Sequence, residues 1–257
     1  MQFYSSKVSF TVNLQLLCKH LEDIFDFVEI DPYLKFIHHF RSTENPASII
    51  DKKFFINIED NTLYLSVSDG YRILIYTQPT ETKANKVSFS IDRNIAHELY
   101  NYRNIQKATI FSTGQNVEIY NGKIKIFQAP TGKGIPNISQ YAKTPFSTEV
   151  LIDGQIIQRE SSLFGNNEQF ELQVNPNEGQ MILTRSKTND KSIFKCIIKG
   201  ERIIRYVKPI YIYPFFLFLK NEKNIIIRFH IPLMIELKDT NIPELTYFVM
   251  PFIKNRN

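Results

Sequence analysis

Long apolar runs are missing from this 257-residue chain. The longest, Ile210 to Leu219, falls well short of a bilayer-spanning helix and contains Pro214. Cysteine is scarce: Cys18 and Cys196 stand far apart with no CxxC spacing, which excludes a disulfide framework and predicts two reduced thiols. The first residues, Met1-Gln2-Phe3-Tyr4-Ser5-Ser6-Lys7, lack a charged start followed by an apolar stretch, so no secretory leader is expected and a cytoplasmic location is. His38-His39, with His20 and Cys18 upstream, match no usual metal-ligand spacing, and Cys18 falls on the apolar face of a helix. Gly132-Lys133-Gly134 is too short for a phosphate loop, and neither a nucleophile elbow nor paired catalytic carboxylates appear. The sequence therefore predicts no metal, no cofactor and no enzymatic activity.

The composition is that of a folded globular protein, 43% hydrophobic and 22% charged, long enough for one large domain or two ordinary ones. The net charge is +5. A mild basic excess suits a phosphate-bearing partner without requiring one.

Short strands predominate, with a few helices between them. Lys7 to Val12 reads as a strand and Asn13 as a helix N-cap, after which Leu14, Leu17, Leu21, Ile24, Phe25 and Val28 share one helical face. Strands follow at Phe54 to Ile58, Thr62 to Val67, Tyr71 to Thr77 and Lys86 to Ile91. Asp69-Gly70 is read as the tight turn of a hairpin. Asp92 caps a second helix reaching about Arg103, with Ile95, Leu99 and Tyr102 inward. Strands near 108–111, 117–120 and 123–127 complete the half, the last two joined through Asn121-Gly122. The second half repeats the order. A strand spans Ser147 to Ile152, then Asp153 caps a helix carrying Ile156, Ile157, Glu160 and Phe164. Strands near 170–174, 181–184, 192–199 and 202–207 follow, then a helix around Pro214 to Lys220 with Pro214 in its first turn. Strands at 225–229, 233–237 and 245–249 end it.

Two separated stretches carry a family resemblance. Ser66-Val67-Ser68-Asp69-Gly70-Tyr71-Arg72-Ile73-Leu74 resembles the hairpin in the middle domain of the bacterial DNA polymerase III β sliding clamp. Thr246-Tyr247-Phe248-Val249-Met250-Pro251-Phe252 resembles that family's C-terminal strand and Met-Pro tail. Ser90 to Leu99 is similar to its strand-to-helix step, and the Pro- and Gly-rich loop Ala129 to Asn137 to its interdomain segment, which ends in a Pro close to Pro145. The resemblance covers nearly the whole chain as the family's middle and C-terminal domains.

What it implies is an α+β clamp fold of two similar domains, each with two helices packed on curved antiparallel sheets. The boundaries are 1–130, a linker at 131–145, and 146–257, with an insertion at 29–50 whose Phe36-Ile37-His38-His39-Phe40 run suggests a helix. It also implies a partner-peptide pocket. One wall is Ser68, Gly70, Tyr71, Arg72 and Ile73; the other is Phe248, Met250, Pro251, Phe252 and Ile253, with Pro145 near the floor. The bland alternative is that Tyr71, Ile73 and Phe248 fill a core between domains. Tyr71 replaces the usual His and Ile253 the usual final Arg, and the basic balance departs from the acidic one usual in the family.

In such clamps the helices face duplex DNA through phosphates, without base readout. Lys19, Arg93, Arg103, Arg159 and Lys220 lie on or beside predicted helices, off their apolar faces, while Glu22, Asp23 and Asp26 oppose the case on the first. For each cation, a solvated surface charge is an equal alternative. Family rings close with six domains, so a two-domain chain implies a homotrimeric ring that encircles DNA and tethers polymerase or repair proteins. An adaptor of the same fold that binds a peptide partner without closing a ring fits the motifs equally well.

Overall fold

The computed structural model describes residues 8–30, 53–68, 71–82, 86–113, 115–132, 138–162, 169–219, 224–231 and 234–250. Within them the chain forms two compact units. The first runs to Lys143; the second runs from Thr144 and also takes in Phe27 to Ile30 and Tyr71 to Leu74. Of the insertion expected at 29–50, Glu29 and Ile30 fall in the first helix and 31–50 lies outside the described residues, as do the Asp69-Gly70 turn and the tail from Pro251.

In the first unit, β1 (Val8–Asn13) leads into α1 (Leu14–Ile30). The Asn13 side chain accepts the N–H of Leu16 at 2.9 Å and satisfies one of the donors a helix start leaves open. Leu14, Leu17, Cys18, Leu21 and Ile24 are buried, while Gln15, Lys19, Glu22 and Asp26 are exposed, as a 3.6-residue period demands. Strands β2 (Lys53–Glu59), β3 (Thr62–Ser68), β4 (Arg72–Pro79), β5 (Glu81–Thr82) and β6 (Lys86–Asp92) follow. Next come α2 (Arg93–Leu99), extended by a 3-10 turn at Tyr100–Tyr102, then β7 (Lys107–Ser112), β8 (Asn116–Asn121) and β9 (Ile124–Pro130). They build two antiparallel sheets, ordered β5-β1-β7-β8-β9 and β4-β3-β2-β6. Asp92 takes the N-cap position of α2, but its side chain makes no capping bond. The β8–β9 turn differs by one residue from the sequence reading. Asn121 pairs with Ile124, so Gly122-Lys123 forms the turn, and Gly122 at φ 60° supplies the left-handed conformation at its first position. A short helix, α3 (Ile138–Lys143), occupies part of the stretch read as linker; Lys143 anchors it to Asp60 at 2.7 Å and Glu59 at 3.1 Å.

The second unit repeats this plan. It comprises β10 (Phe146–Asp153), α4 (Gly154–Ser162), β11 (Phe170–Asn175), β12 (Gln180–Arg185), β13 (Lys191–Lys195), β14 (Ile197–Gly200), β15 (Ile203–Val207), α5 (Pro209–Phe218), β16 (Asn224–His230), β17 (Ile235–Asp239) and β18 (Leu245–Val249). Its strands run β14-β10-β16-β17-β18 and β13-β12-β11-β15, the same order element for element. The expectation of two similar α+β halves holds.

Two local readings are corrected. The strand expected over 192–199 is two strands in different sheets, because the N–H of Cys196 turns aside to the Gly179 carbonyl at 3.0 Å and breaks the ladder. The helix expected from Pro214 begins at Pro209, which occupies the first turn, and Pro214 is inside it. Pro214 removes one backbone bond. The burial of Tyr211, Phe215, Phe216 and Leu219 holds the helix in place nonetheless. Among the described residues no helix is long and apolar enough to cross a membrane.

Candidate functional site

Two residues of the β3–β4 hairpin and the end of β18 come together within the second unit. The N–H of Met250 donates to the Tyr71 carbonyl at 2.9 Å. The Tyr71 ring stacks on Tyr211 of α5, centroids 5.6 Å apart and planes within 13°. The Arg72 guanidinium lies over the same Tyr211 ring at 5.4 Å. Tyr211 is fixed from behind, since the Tyr247 hydroxyl of β18 donates to its carbonyl at 2.5 Å and the Tyr247 ring stacks on Phe215. The hairpin residues therefore rest on a platform built by α5 and β18.

Exposure separates the residues into two groups. Tyr71 is 49% exposed and Met250 43%, so each offers apolar area to a ligand. Pro145 is also exposed, at the entry to β10. Ile73, Phe248 and Arg72 are buried, as is Ser68 at the end of β3. The walls are thus not uniformly open: Ile73 and Phe248 form the support, and Tyr71 and Met250 the accessible surface. Gly70, Pro251, Phe252 and Ile253 lie outside the described residues. Sequence reading missed Tyr211. Its neighbours Tyr213, Phe215 and Phe216 are as aromatic as it is, so no local pattern marks it out.

Beneath Phe248 lies a polar cluster that sequence also did not suggest. His230 packs edge-on to Phe248 and to Phe146, and its nitrogens meet Thr144 and Glu236. Arg228 bonds Glu149 at 2.9 Å and covers the Phe146 ring at 4.7 Å.

The cations expected at nucleic acid are placed as follows. Lys19 and Arg103 line one cleft of about 420 Å³ in the first unit, with Asn13, Gln15, Glu22, Tyr100 and Asn104. Arg103 lies over Tyr100 at 4.5 Å, and the Tyr100 hydroxyl donates to Glu22 at 3.1 Å, so one acid sits among these groups. Arg93 is half-buried over the Phe25 ring at 5.4 Å, against which His97 stacks from 3.8 Å. Arg159 is exposed on α4 of the second unit, and Lys220 lies outside the described residues. Cys18 is buried and donates to the Leu99 carbonyl; burial pushes its thiol up to about 11 despite the nearby charge of Arg103.

Solved structures match the fold over nearly the whole length of the chain. The β subunit of DNA polymerase III from Thermotoga maritima superposes with a TM-score of 0.68 over 96% of the chain, at 16% identity. The fold is that of the bacterial sliding clamp. The Bacillus subtilis DNA polymerase sliding clamp matches over 99% of the chain (TM-score 0.63, 15% identity). The Pseudomonas aeruginosa DNA polymerase III subunit beta matches over 98% (0.66, 12%). The chain spans 65%, 66% and 67% of these three proteins respectively. No family model and no curated protein matches the sequence.

Proposed function

We propose that this protein is a clamp-type processivity factor. It tethers replication or repair proteins to duplex DNA by taking a segment of each partner at the surface formed by Tyr71 and Met250, with buried Tyr211 as the support beneath. The observation that carries this reading is the junction itself. Two sequence stretches that resemble one family's peptide pocket are hydrogen-bonded to each other within the fold of that family. A half-exposed tyrosine on an aromatic platform beside a half-exposed methionine suits Leu or Phe anchors. The ring offers flat area and the flexible thioether adapts to shape. DNA would be held loosely, through Lys19 and Arg103 in the first unit and Arg159 in the second, by phosphate contacts that allow sliding. The role is one of holding, not of catalysis.

The experiment is retention. A topological clamp loaded on nicked circular DNA stays there and slides off linear DNA, with no base preference and a steep salt dependence. Equal retention on both, or a sequence-specific footprint, overturns it. A second reading, an adaptor that binds a peptide without enclosing DNA, is favoured by one observation. Glu22 lies in the cleft of Lys19 and Arg103, and Asp26 is exposed farther along the same helix. In that case peptide binding persists while DNA retention is absent.

A further inference from the structure

The two units treat one sheet edge differently. In the first, the order β4-β3-β2-β6 ends on β6, and the chain itself covers that edge. The N–H of Gly132 donates to the Ser90 carbonyl at 2.9 Å, and the Ser90 N–H donates back at 3.4 Å. In the second, the matching order β13-β12-β11-β15 ends on β15, which among the described residues pairs only with β11. Register aligns the two edges. Ser90 faces Phe55 one residue before the buried pair Phe54–Ile91, and Tyr206 faces Glu171 one residue before the buried pair Phe170–Val207. Ile204, two residues earlier, turns its backbone groups to the same side, away from β11. Its carbonyl accepts from the Arg205 guanidinium at 3.0 Å on that open side.

The sequence does not repeat the cover. Gly132 stands two residues past the end of β9, whereas Pro251, two past the end of β18, has no N–H to donate, and the cations Lys254 and Arg256 follow it. The surroundings of β15 set the chemistry of what fits there. On the face opposite the core, register places Ile193, Ile182, Gln173 and Ile204 in one row, and Ile193 and Ile204 are 58% and 41% exposed. An added strand lengthens that row by one residue, so an aliphatic side chain there packs on Ile204. Arg202 is exposed just before β15, Arg205 is half-buried within it and Lys208 half-buried just after it, while Lys191 and Lys195 flank the row on β13. Two acids lie among them: exposed Glu201, and Glu171, which accepts from the Tyr206 hydroxyl at 3.0 Å. The edge is therefore apolar at its centre and basic around it.

We propose that β15 is a separate docking edge: it takes an extended, acidic segment of a partner protein as an added strand, with an aliphatic residue of that segment against Ile204 and carboxylates against Arg202 and Arg205. The edge shares no residue with the Tyr71–Met250 surface and stands whether or not that surface binds peptide. On docking, an N–H of the segment replaces the Arg205 guanidinium at the Ile204 carbonyl, and the Ile204 N–H gains a carbonyl acceptor. The displaced guanidinium meets a carboxylate, a stronger partner than the carbonyl it leaves. Main-chain bonds supply the affinity, and the alternation of acidic and aliphatic side chains supplies the specificity. The tail of this chain is excluded as the occupant by its own positive charge.

The test uses the whole chain with three short labelled peptides: one alternating Glu with Val, one with Lys in place of Glu, and one of the first sequence N-methylated throughout. Fluorescence polarisation is expected to show binding of the first alone, and the Ile204 amide gains protection from hydrogen exchange when it binds. Ile204→Pro removes the outward N–H, which an edge strand tolerates, and weakens binding by about tenfold or more. Arg202→Glu, at an exposed position, weakens it by about fivefold and carries the test if the proline variant does not fold. Binding that ignores the sign of the peptide's charge, survives N-methylation or leaves Ile204 exchange unchanged overturns the proposal, as does no binding of the acidic peptide at millimolar concentration. Sedimentation separates the remaining occupant. The protein alone has the same mass in the wild type and in Ile204→Pro, and a mass that falls in the variant gives the edge to a second copy and overturns the proposal.

Discussion

The backbone N–H of Met250 donates to the carbonyl of Tyr71 at 2.9 Å, joining the end of the last strand to the start of β4. A main-chain bond sets the spacing of the two half-exposed side chains whatever their rotamers. It also predicts which substitutions disturb binding and which disturb folding. Tyr71→Ala with Met250→Ala leaves this bond intact and removes the exposed apolar area. Peptide affinity falls by at least about 2 kcal/mol, roughly thirtyfold in Kd, since few residues dominate such surfaces. Fluorescence polarisation measures it, and an unfolding midpoint near that of the wild type shows that the loss is local.

Lys19 and Arg103 share a cleft. If each meets a phosphate, replacing either by Ala lowers the slope of log K against log salt by about 0.9, evenly across DNA sequences. Arg93→Ala changes the slope less, because its guanidinium already lies over Phe25. Filter binding at several salt concentrations distinguishes the three. Equal slopes in all variants remove this cleft from the DNA contact.

His20 predicts an acid-sensitive first unit. It is fully buried on α1, its ring stacks on Tyr76 at 4.4 Å, and neither ring nitrogen has a hydrogen-bond partner. Burial, and secondarily the charge of Lys19, push it down to about 4 from 6.5. The unfolded chain binds this proton more readily, so stability is full above about pH 6.5 and is lost as pH falls toward 4. The shift corresponds to a loss of order ~3 kcal/mol. Urea unfolding between neutral and acid pH measures it, and His20→Leu, which has no proton to take up, shows a flatter curve.

Elements specified by nearby residues were legible. Helix α1 follows from Asn13 and the leucine spacing after it, and the doubled order of strands and helices follows from turn residues and alternation. What failed depends on contacts distant in sequence. Nothing near Cys196 shows that its N–H is taken by Gly179, so the sheet change there reads as one strand. Pro214 resembles a helix start because a helix interior rarely tolerates proline, and only the burial of its neighbours overrides that. The proposed docking surface was half legible: Tyr71 and Met250 stood in motifs, whereas Tyr211 takes its place against Tyr71 only through helix packing.

Two glycines give contrasting tests of backbone demand. Gly122 turns at φ 60°, and a β-carbon added there would meet nothing within 4 Å, so Gly122→Ala costs about 1 kcal/mol of conformational strain alone. Gly200 has φ 118°, and a β-carbon there would strike the Ser147 carbonyl oxygen and lie 2.8 Å from the Thr148 Cα. Gly200→Ala therefore forces β14 away from β10 and costs well over ~2 kcal/mol. Chemical denaturation ranks the two, and equal midpoints contradict the close approach.

Assembly is tested at the sheet edges. Among the described residues β9 pairs only with β8, and β13 only with β12, so each carries a row of backbone groups open to another strand. Ile124 on β9 is 70% exposed and Ile193 on β13 is 58% exposed, while Lys191 and Lys195 flank the latter with charge. Pairing of β9 in one copy with β13 in the next would bury both isoleucines in a head-to-tail contact. Repeated, that contact closes into a ring only if the rotation per copy divides the circle. Sedimentation equilibrium at micromolar concentration is expected to give a species of three 30.2 kDa chains. Ile124→Lys with Ile193→Lys returns it to one chain, through repulsion between unpaired edges, and abolishes retention on circular DNA while peptide binding persists. A single species of one chain's mass from the unmodified protein leaves the adaptor reading in its place.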